Sequence, residues 1–177
     1  EGYMDVVALA QHGVGNAVAT LGTACTPTHV QKLLRQASKV VFCFDGDAAG
    51  RKAAWRALEA SLEQLSDDKS AGFLFLPPEH DPDSFVRAEG AETFRRLVTH
   101  PTTLTEFLLR ELKAGVDLAS AEGRARLVHE AKPHLQKLAA PILRVQLVKA
   151  VAVAAALTQV EVETQCDLKP AARGRPA

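Results

Sequence analysis

The stretch Lys39-Val40-Val41-Phe42-Cys43-Phe44-Asp45-Gly46-Asp47 constrains this chain more than any other. Its continuous apolar run predicts a strand buried on both faces, the kind found in parallel sheets covered by helices. The run then stops on two carboxylates held apart by a glycine. Like charges a few ångströms apart disfavour joint ionisation, and no cation stands beside this pair. A divalent metal removes that cost. The pattern therefore points to a metal site at the end of a strand.

The segments around this run alternate in period. Residues 3–12 carry apolar side chains at helical spacing, with Gly13 as the stop. Residues 17–21 read as a short strand. Thr26 and Pro27 form an N-cap and a first helical position, opening a helix to about Ala37. Residues 48–65 read as a long helix, and residues 73–76 as a second buried strand closed by Pro77-Pro78. Strands alternating with helices over short connections predict an α/β fold, a parallel sheet with flanking helices. From residue 91 onward no strand pattern appears. Residues 91–98, 104–112, 122–138 and 142–157 read as helices, with Pro133 expected to break the third in two. A boundary is expected near His100-Pro101, and the stretch after residue 160 reads as a flexible linker.

Bulk properties narrow the function classes. Hydrophobic residues make up 47% of the 177, enough for a core built on Ala, Leu and Val. Lys+Arg and Asp+Glu are both 21, so the chain lacks the basic excess of a self-sufficient nucleic-acid binder. Cys25, Cys43 and Cys166 have no CxxC spacing and read as reduced thiols, with Cys43 a small core residue. No signal peptide appears, and residues 145–157 are too short to span a bilayer. With Glu1 first and no initiator Met, the sequence reads as a piece of something longer.

Parallel strands share one carboxyl edge, where open α/β sheets bind ligands. Asp45 and Asp47 end the first buried strand, and Asp81-Pro82-Asp83 follows the second by a short loop. Glu1 joins them if a strand precedes it. Such a set of hard oxygen donors suits one or two Mg²⁺ ions. Individually these acids are ordinary loop residues or caps, and Asp83 would cap a helix starting at Ser84. Arg51 and Lys52, opening the next helix, are either a phosphate contact or a solvated first turn. Trp55 is expected in the core or at an interface, and His80 in a solvated loop.

Other motifs fail on spacing. An EF-hand starting at Asp45 would need an acid or amide where Ala49 stands and Glu where Arg56 stands. Gly13-Val14-Gly15 lacks the third glycine of a dinucleotide fingerprint. A haloacid dehalogenase-type phosphohydrolase also places Asp-x-Asp after a strand, but on its first strand and with Thr or Val at the position of Ala49. It remains an alternative, as does a non-catalytic interaction module.

Taken together, these residues resemble the Toprim domain of the bacterial DnaG-type primase family. The resemblance is carried by Glu1-Gly2-Tyr3-Met4-Asp5-Val6, by Asp45-Gly46-Asp47-Ala48-Ala49-Gly50-Arg51, by Asp81-Pro82-Asp83-Ser84-Phe85-Val86-Arg87, and by the turn Ala19-Thr20-Leu21-Gly22-Thr23-Ala24. It implies a Toprim-type core over residues 1–98 with a truncated first strand, and a helical subdomain over 101–160. It also implies a linker over 161–177 toward a helicase-binding domain that is not in the chain. The function implied is synthesis of short RNA primers on single-stranded DNA from NTPs by Mg²⁺-dependent nucleotidyl transfer, with Mn²⁺ a possible substitute. Glu1, Asp45 and Asp47 would be catalytic metal ligands, Asp81 and Asp83 would support a second metal, and Arg51 and Lys52 would meet phosphate. Zinc is expected only in an absent amino-terminal domain. The implied partners are template, NTPs and the replicative helicase, and the implied location is the cytoplasm. The isolated stretch is not expected to make primers.

Overall fold

The computed structural model describes residues 2–20 and 24–168. Glu1, Leu21, Gly22, Thr23 and residues 169–177 lie outside the described residues, so the Glu1 ligand and the last part of the expected linker do too. The order is α1 (Tyr3–Gln11), α2 (Pro27–Gln36), β1 (Lys39–Phe44), α3 (Ala48–Leu62), β2 (Ser70–Phe75), α4 (Pro82–Glu89) and α5 (Ala91–Thr99). Then follow β3 (Thr102–Thr103), α6 (Leu104–Lys113), α7 (Ala121–Lys137), α8 (Pro141–Ala155) and α9 (Gln159–Gln165).

The sheet has the order β1-β2-β3. β1 and β2 run parallel in register from Lys39 opposite Ser70 to Phe44 opposite Phe75. Alternation along the strands sends two sets of side chains to two faces. Phe42 stacks on Phe73 at 5.5 Å and Phe73 meets Phe107 of α6 at 4.9 Å. That face also holds Val30 and Leu34 of α2 and Ala54 and Leu58 of α3. Val41, Cys43, Leu74 and Leu76 face the other way, against Leu9 of α1, Phe85 and Val86 of α4 and Phe94 of α5. Burial pushes the Cys43 thiol up to about 12, as suits a core cysteine and not a nucleophile. Gly72 in β2 has no room for a side chain, because the ring of Pro101 occupies that space.

The larger core does not stop at residue 100. It continues from the sheet through Leu104, Phe107 and Leu108 of α6 into α7, α8 and α9. Trp55 sits at this junction as expected, edge-on to Phe107 at 6.3 Å and to His134 at 5.1 Å. The Asp67 carboxylate accepts the N–H groups of Ile142 and Leu143, tying the α3–β2 loop to the start of α8.

Four readings need correction. Residues 17–20 form no strand: Val18 is 70% exposed, so there is no buried face to fix a ladder. A strand does occur after residue 91, β3, which pairs antiparallel with β2 through Thr102 and Thr103 only. Pro133 does not break α7. The carbonyl that its ring deprives of a donor belongs to exposed His129, where water can replace the lost bond. Finally, residues 161–168 are folded and not linker. α9 is opened by a reciprocal Thr158–Glu161 capping box and buries Val162 and Cys166 completely. The Gln136 amide donates to the Cys166 carbonyl at 2.8 Å, and Lys132 pairs with Asp167 at 2.5 Å.

α8 ends on Ala156 in the left-handed region at φ 54°, where the Cβ of any L-residue is strained. Ala156→Gly is therefore expected to stabilise the protein by about 0.5–1 kcal/mol, strain relief outweighing the extra freedom of the unfolded chain. A thermal melt would rise by a few degrees, and a fall would contradict this account. Among the described residues no single helix is long and apolar enough to cross a membrane.

Candidate functional site

Because β1 and β2 are parallel and in register, the segments leaving them emerge at one edge. The Leu76 N–H donates to the carbonyl of Phe44, the last residue of β1, at 2.9 Å, extending the pairing one residue past the end of β2. Asp45-Gly46-Asp47 and the segment 76–78 then lie backbone against backbone. A side chain on Gly46 would run into the Leu76 carbonyl, and one on Gly50 into the Asp45 carbonyl. The two glycines are thus required by close approach. One lets the acidic turn lie against the exit of β2, and the other lets the first turn of α3 fold back on Asp45.

Both outer acids hold helices. Asp47 caps α3, its Oδ1 accepting the Gly50 N–H at 2.7 Å. This occupies one of the first-turn N–H groups that a phosphate could otherwise use, so a phosphate contact there rests on the exposed cations Arg51 and Lys52. Asp81, not Asp83, caps α4. Its Oδ1 accepts the Ser84 N–H at 2.7 Å, and Ser84 Oγ accepts the Asp81 N–H at 3.0 Å. Asp83 pairs with Arg87 at 2.7 Å. His80 is less solvated than expected: its Nδ1 lies 3.2 Å from Ser84 Oγ, and its ring is edge-on to Phe85 at 5.7 Å.

The Ser84 N–H bonded to the Asp81 carboxylate holds that group below its ordinary value of 3.8. The folded protein binds this proton more weakly than the unfolded chain does. The contribution of the cap's charge is therefore complete above the ordinary value and is lost as the pH falls through the depressed one. Asp81→Ala is expected to cost about 1 kcal/mol at pH 7 and measurably less once acid has protonated the wild-type carboxyl, which then accepts the Ser84 N–H only as a neutral cap. Paired urea melts at neutral and acid pH check this, and an equal cost at both would rule it out.

One acid at this edge was missed as an individual. Asp5, in the first turn of α1, acts with Asp45 to raise the Cys43 thiol by its charge, so α1 brings a further carboxylate close to the end of β1. The only sequence signal for it was its place within the Glu1 motif.

A divalent cation fits this set by donor chemistry. An ionised carboxylate has about four acceptor positions, so a single N–H bond leaves Asp47 and Asp81 able to ligate. The donors are all hard oxygens, which suit Mg²⁺ or Mn²⁺ over softer metals. Among the described residues no three His, Cys, Asp or Glu side chains form a ready metal cage. The third ligand implied by the resemblance, Glu1, lies outside them.

Comparison with known proteins bears on this edge and on the helices behind it. A family model described as Toprim-like matches residues 1–86, and one described as the DnaB-helicase binding domain of primase matches residues 105–155. The DNA primase of Neisseria meningitidis serogroup A is 57% identical over 144 residues, 81% of this chain and 24% of the relative. That of Escherichia coli K12 is 48% identical over 147 residues, 83% of this chain and 25% of the relative. The chain thus spans about a quarter of the length of these curated relatives. Among solved structures, a DNA primase domain from Pseudomonas aeruginosa superposes with a TM-score of 0.90 at 46% identity, covering 94% of this chain and 52% of the other. A DnaG primase catalytic domain bound to single-stranded DNA superposes with a TM-score of 0.87 at 42% identity, covering 91% and 51%. With both family models matched in order, these identities and a shared fold, the chain belongs to the bacterial DNA primase family.

Proposed function

We propose that this chain carries the nucleotidyl-transfer site of a DNA primase, which makes short RNA primers on single-stranded DNA from NTPs. The observation that supports the proposal is the parallel pairing of β1 and β2, from whose common edge the chain runs directly into Asp45-Gly46-Asp47 and through a short loop toward Asp81-Pro82-Asp83. In this reading Glu1, Asp45 and Asp47 hold the catalytic Mg²⁺, Mn²⁺ being a possible substitute, and Asp81 and Asp83 support a second ion. Bound there, the ions would lower the pKa of the attacking 3′-hydroxyl and offset the charge of the departing pyrophosphate.

The chain's own residues supply position and charge. Asp47 is fixed by its bond to Gly50, and Asp45 by the first turn of α3 packed against its carbonyl. Such anchoring reduces the reorganisation needed when substrate binds. Glu1 is the group assigned to take the hydroxyl proton. Arg51 and Lys52, exposed at the start of α3, attract the triphosphate.

The helicase contact, expected beyond the end of the chain, is proposed for α6, α7 and α8, because the helicase-binding family model matches residues 105–155. The test is primer synthesis by the full-length gene product, with a single-stranded template, labelled NTPs and Mg²⁺. Short RNA products are expected, and their absence under all divalent-metal conditions would sink the proposal.

A further inference from the structure

The neutral net charge conceals an uneven surface. α2 and α3 pack side by side on one face of β1, burying Val30 and Leu34 from one helix and Ala54 and Leu58 from the other. Their opposite sides look outward together. That surface carries Lys32 and Arg35 from α2 and Lys52 and Arg56 from α3, all exposed, while Arg51, on the Ala54–Leu58 side of α3, is exposed in its first turn. Among the described residues none of the five makes an ion pair. α2 contains no Asp or Glu, and α3 contains none before Glu59. In α2 the other titratable group, His29, is occupied by the cap, its Nδ1 accepting the Thr26 N–H at 3.2 Å.

Direction matters as much as charge. α3 starts at the acidic edge and runs back along the sheet, so Arg51 and Lys52 lie beside that edge and Arg56 a turn further away. α2 runs alongside, carrying Lys32 and Arg35 toward the amino edge. A chain of phosphates leaving the acidic edge would therefore meet cations for several residues. A site that itself repels phosphate through its carboxylates needs such a track to hold a polyanion.

We propose that the outer face of α2 and α3 is a binding surface for the sugar-phosphate backbone of nucleic acid, with Lys32 and Arg35 as contacts beyond the catalytic edge. The proposal rests on the primase reading above. Phosphate contacts by Lys and Arg carry no sequence preference and show themselves in the salt dependence of binding, about 0.7 in log–log slope per contact on a single strand.

The test is the double variant Lys32→Glu/Arg35→Glu in the full-length gene product, measured by fluorescence anisotropy on a labelled single strand and on an RNA–DNA hybrid. The expected result is about tenfold weaker binding at low salt and a slope shallower by about 1.4 on at least one of the two, which also tells template from product. The charge-matched control Lys69→Glu/Arg96→Glu, in the α3–β2 loop and on α5, should leave the slope unchanged. A wild-type slope in the α2 variant, as an acidic protein partner on this face would give, overturns the proposal. An equal change in the control also overturns it, because net charge would then be the cause. Wild-type protein that makes primers while the α2 variant keeps its slope refutes this surface alone. Wild-type protein that neither binds template nor makes primers refutes the primase reading itself.

Discussion

Asp45→Asn in the full-length gene product is expected to lower primer synthesis by about 10³-fold or more and to leave the fold intact. A bound metal contributes several kcal/mol to the stabilisation of transition-state charge, and each 1.36 kcal/mol is a factor of ten. Asp45 is exposed at the turn into α3, and the amide keeps the shape of the carboxylate, so the substitution opens no cavity in the fold. Stability and activity therefore move apart, which separates a lost ligand from a damaged fold. Circular dichroism melts and primer assays on one preparation check both, and normal activity would remove the metal-site argument.

The second large effect concerns Gly50. Helix propensity alone predicts that Gly50→Ala in α3 stabilises by about 1 kcal/mol. The structure predicts the opposite sign, because the new methyl would occupy the position of the Asp45 carbonyl. That obstacle is backbone at the end of β1 and has no rotamer through which to yield. Overpacking of this kind costs up to about 3 kcal/mol, so a net loss of about 2 kcal/mol is expected. For a chain of this size that corresponds to a Tm lower by roughly 4–8 °C. The displaced Asp45 should also cost about 10²-fold in primer synthesis, the penalty for misplacing a reacting group by about 1 Å. A stabilised, active Gly50→Ala protein would show that α3 can pull away from the strand.

The elements legible in the sequence were those with a strong local signal. The apolar run 40–44 gave β1, Thr26-Pro27 gave the start of α2, and the helical periods of residues 104–112 and 142–157 gave α6 and α8 within a few residues. What escaped depended on partners distant in sequence. β3 is two threonines whose strand character comes from Gly72 and Phe73 across the ladder. α9 has Val160 and Val162 two apart, a spacing that suggests a strand, and its helix rests on a cap and on contacts with α7.

At the site, that the segments bearing the acids leave the sheet at one edge followed from strand direction alone. Their individual tasks did not. Pro82 at the first helical position marks Asp81 as the cap, the same local signal as Thr26-Pro27, but the cap was expected at Asp83. The turn glycine was readable as a glycine, but its reason was not: Gly46 lies against Leu76, thirty residues away.

The ring of Pro101 filling the space beside Gly72 bears on how the chain can be divided. Residue 100 resembles a seam when read along the sequence, since strands precede it and helices follow. Cutting there would strip β2 of its cover and leave α6 without the aromatic surface it rests on. Each half would carry one side of a shared interior, so mixing the two pieces is a better route to a folded protein than expressing either by itself.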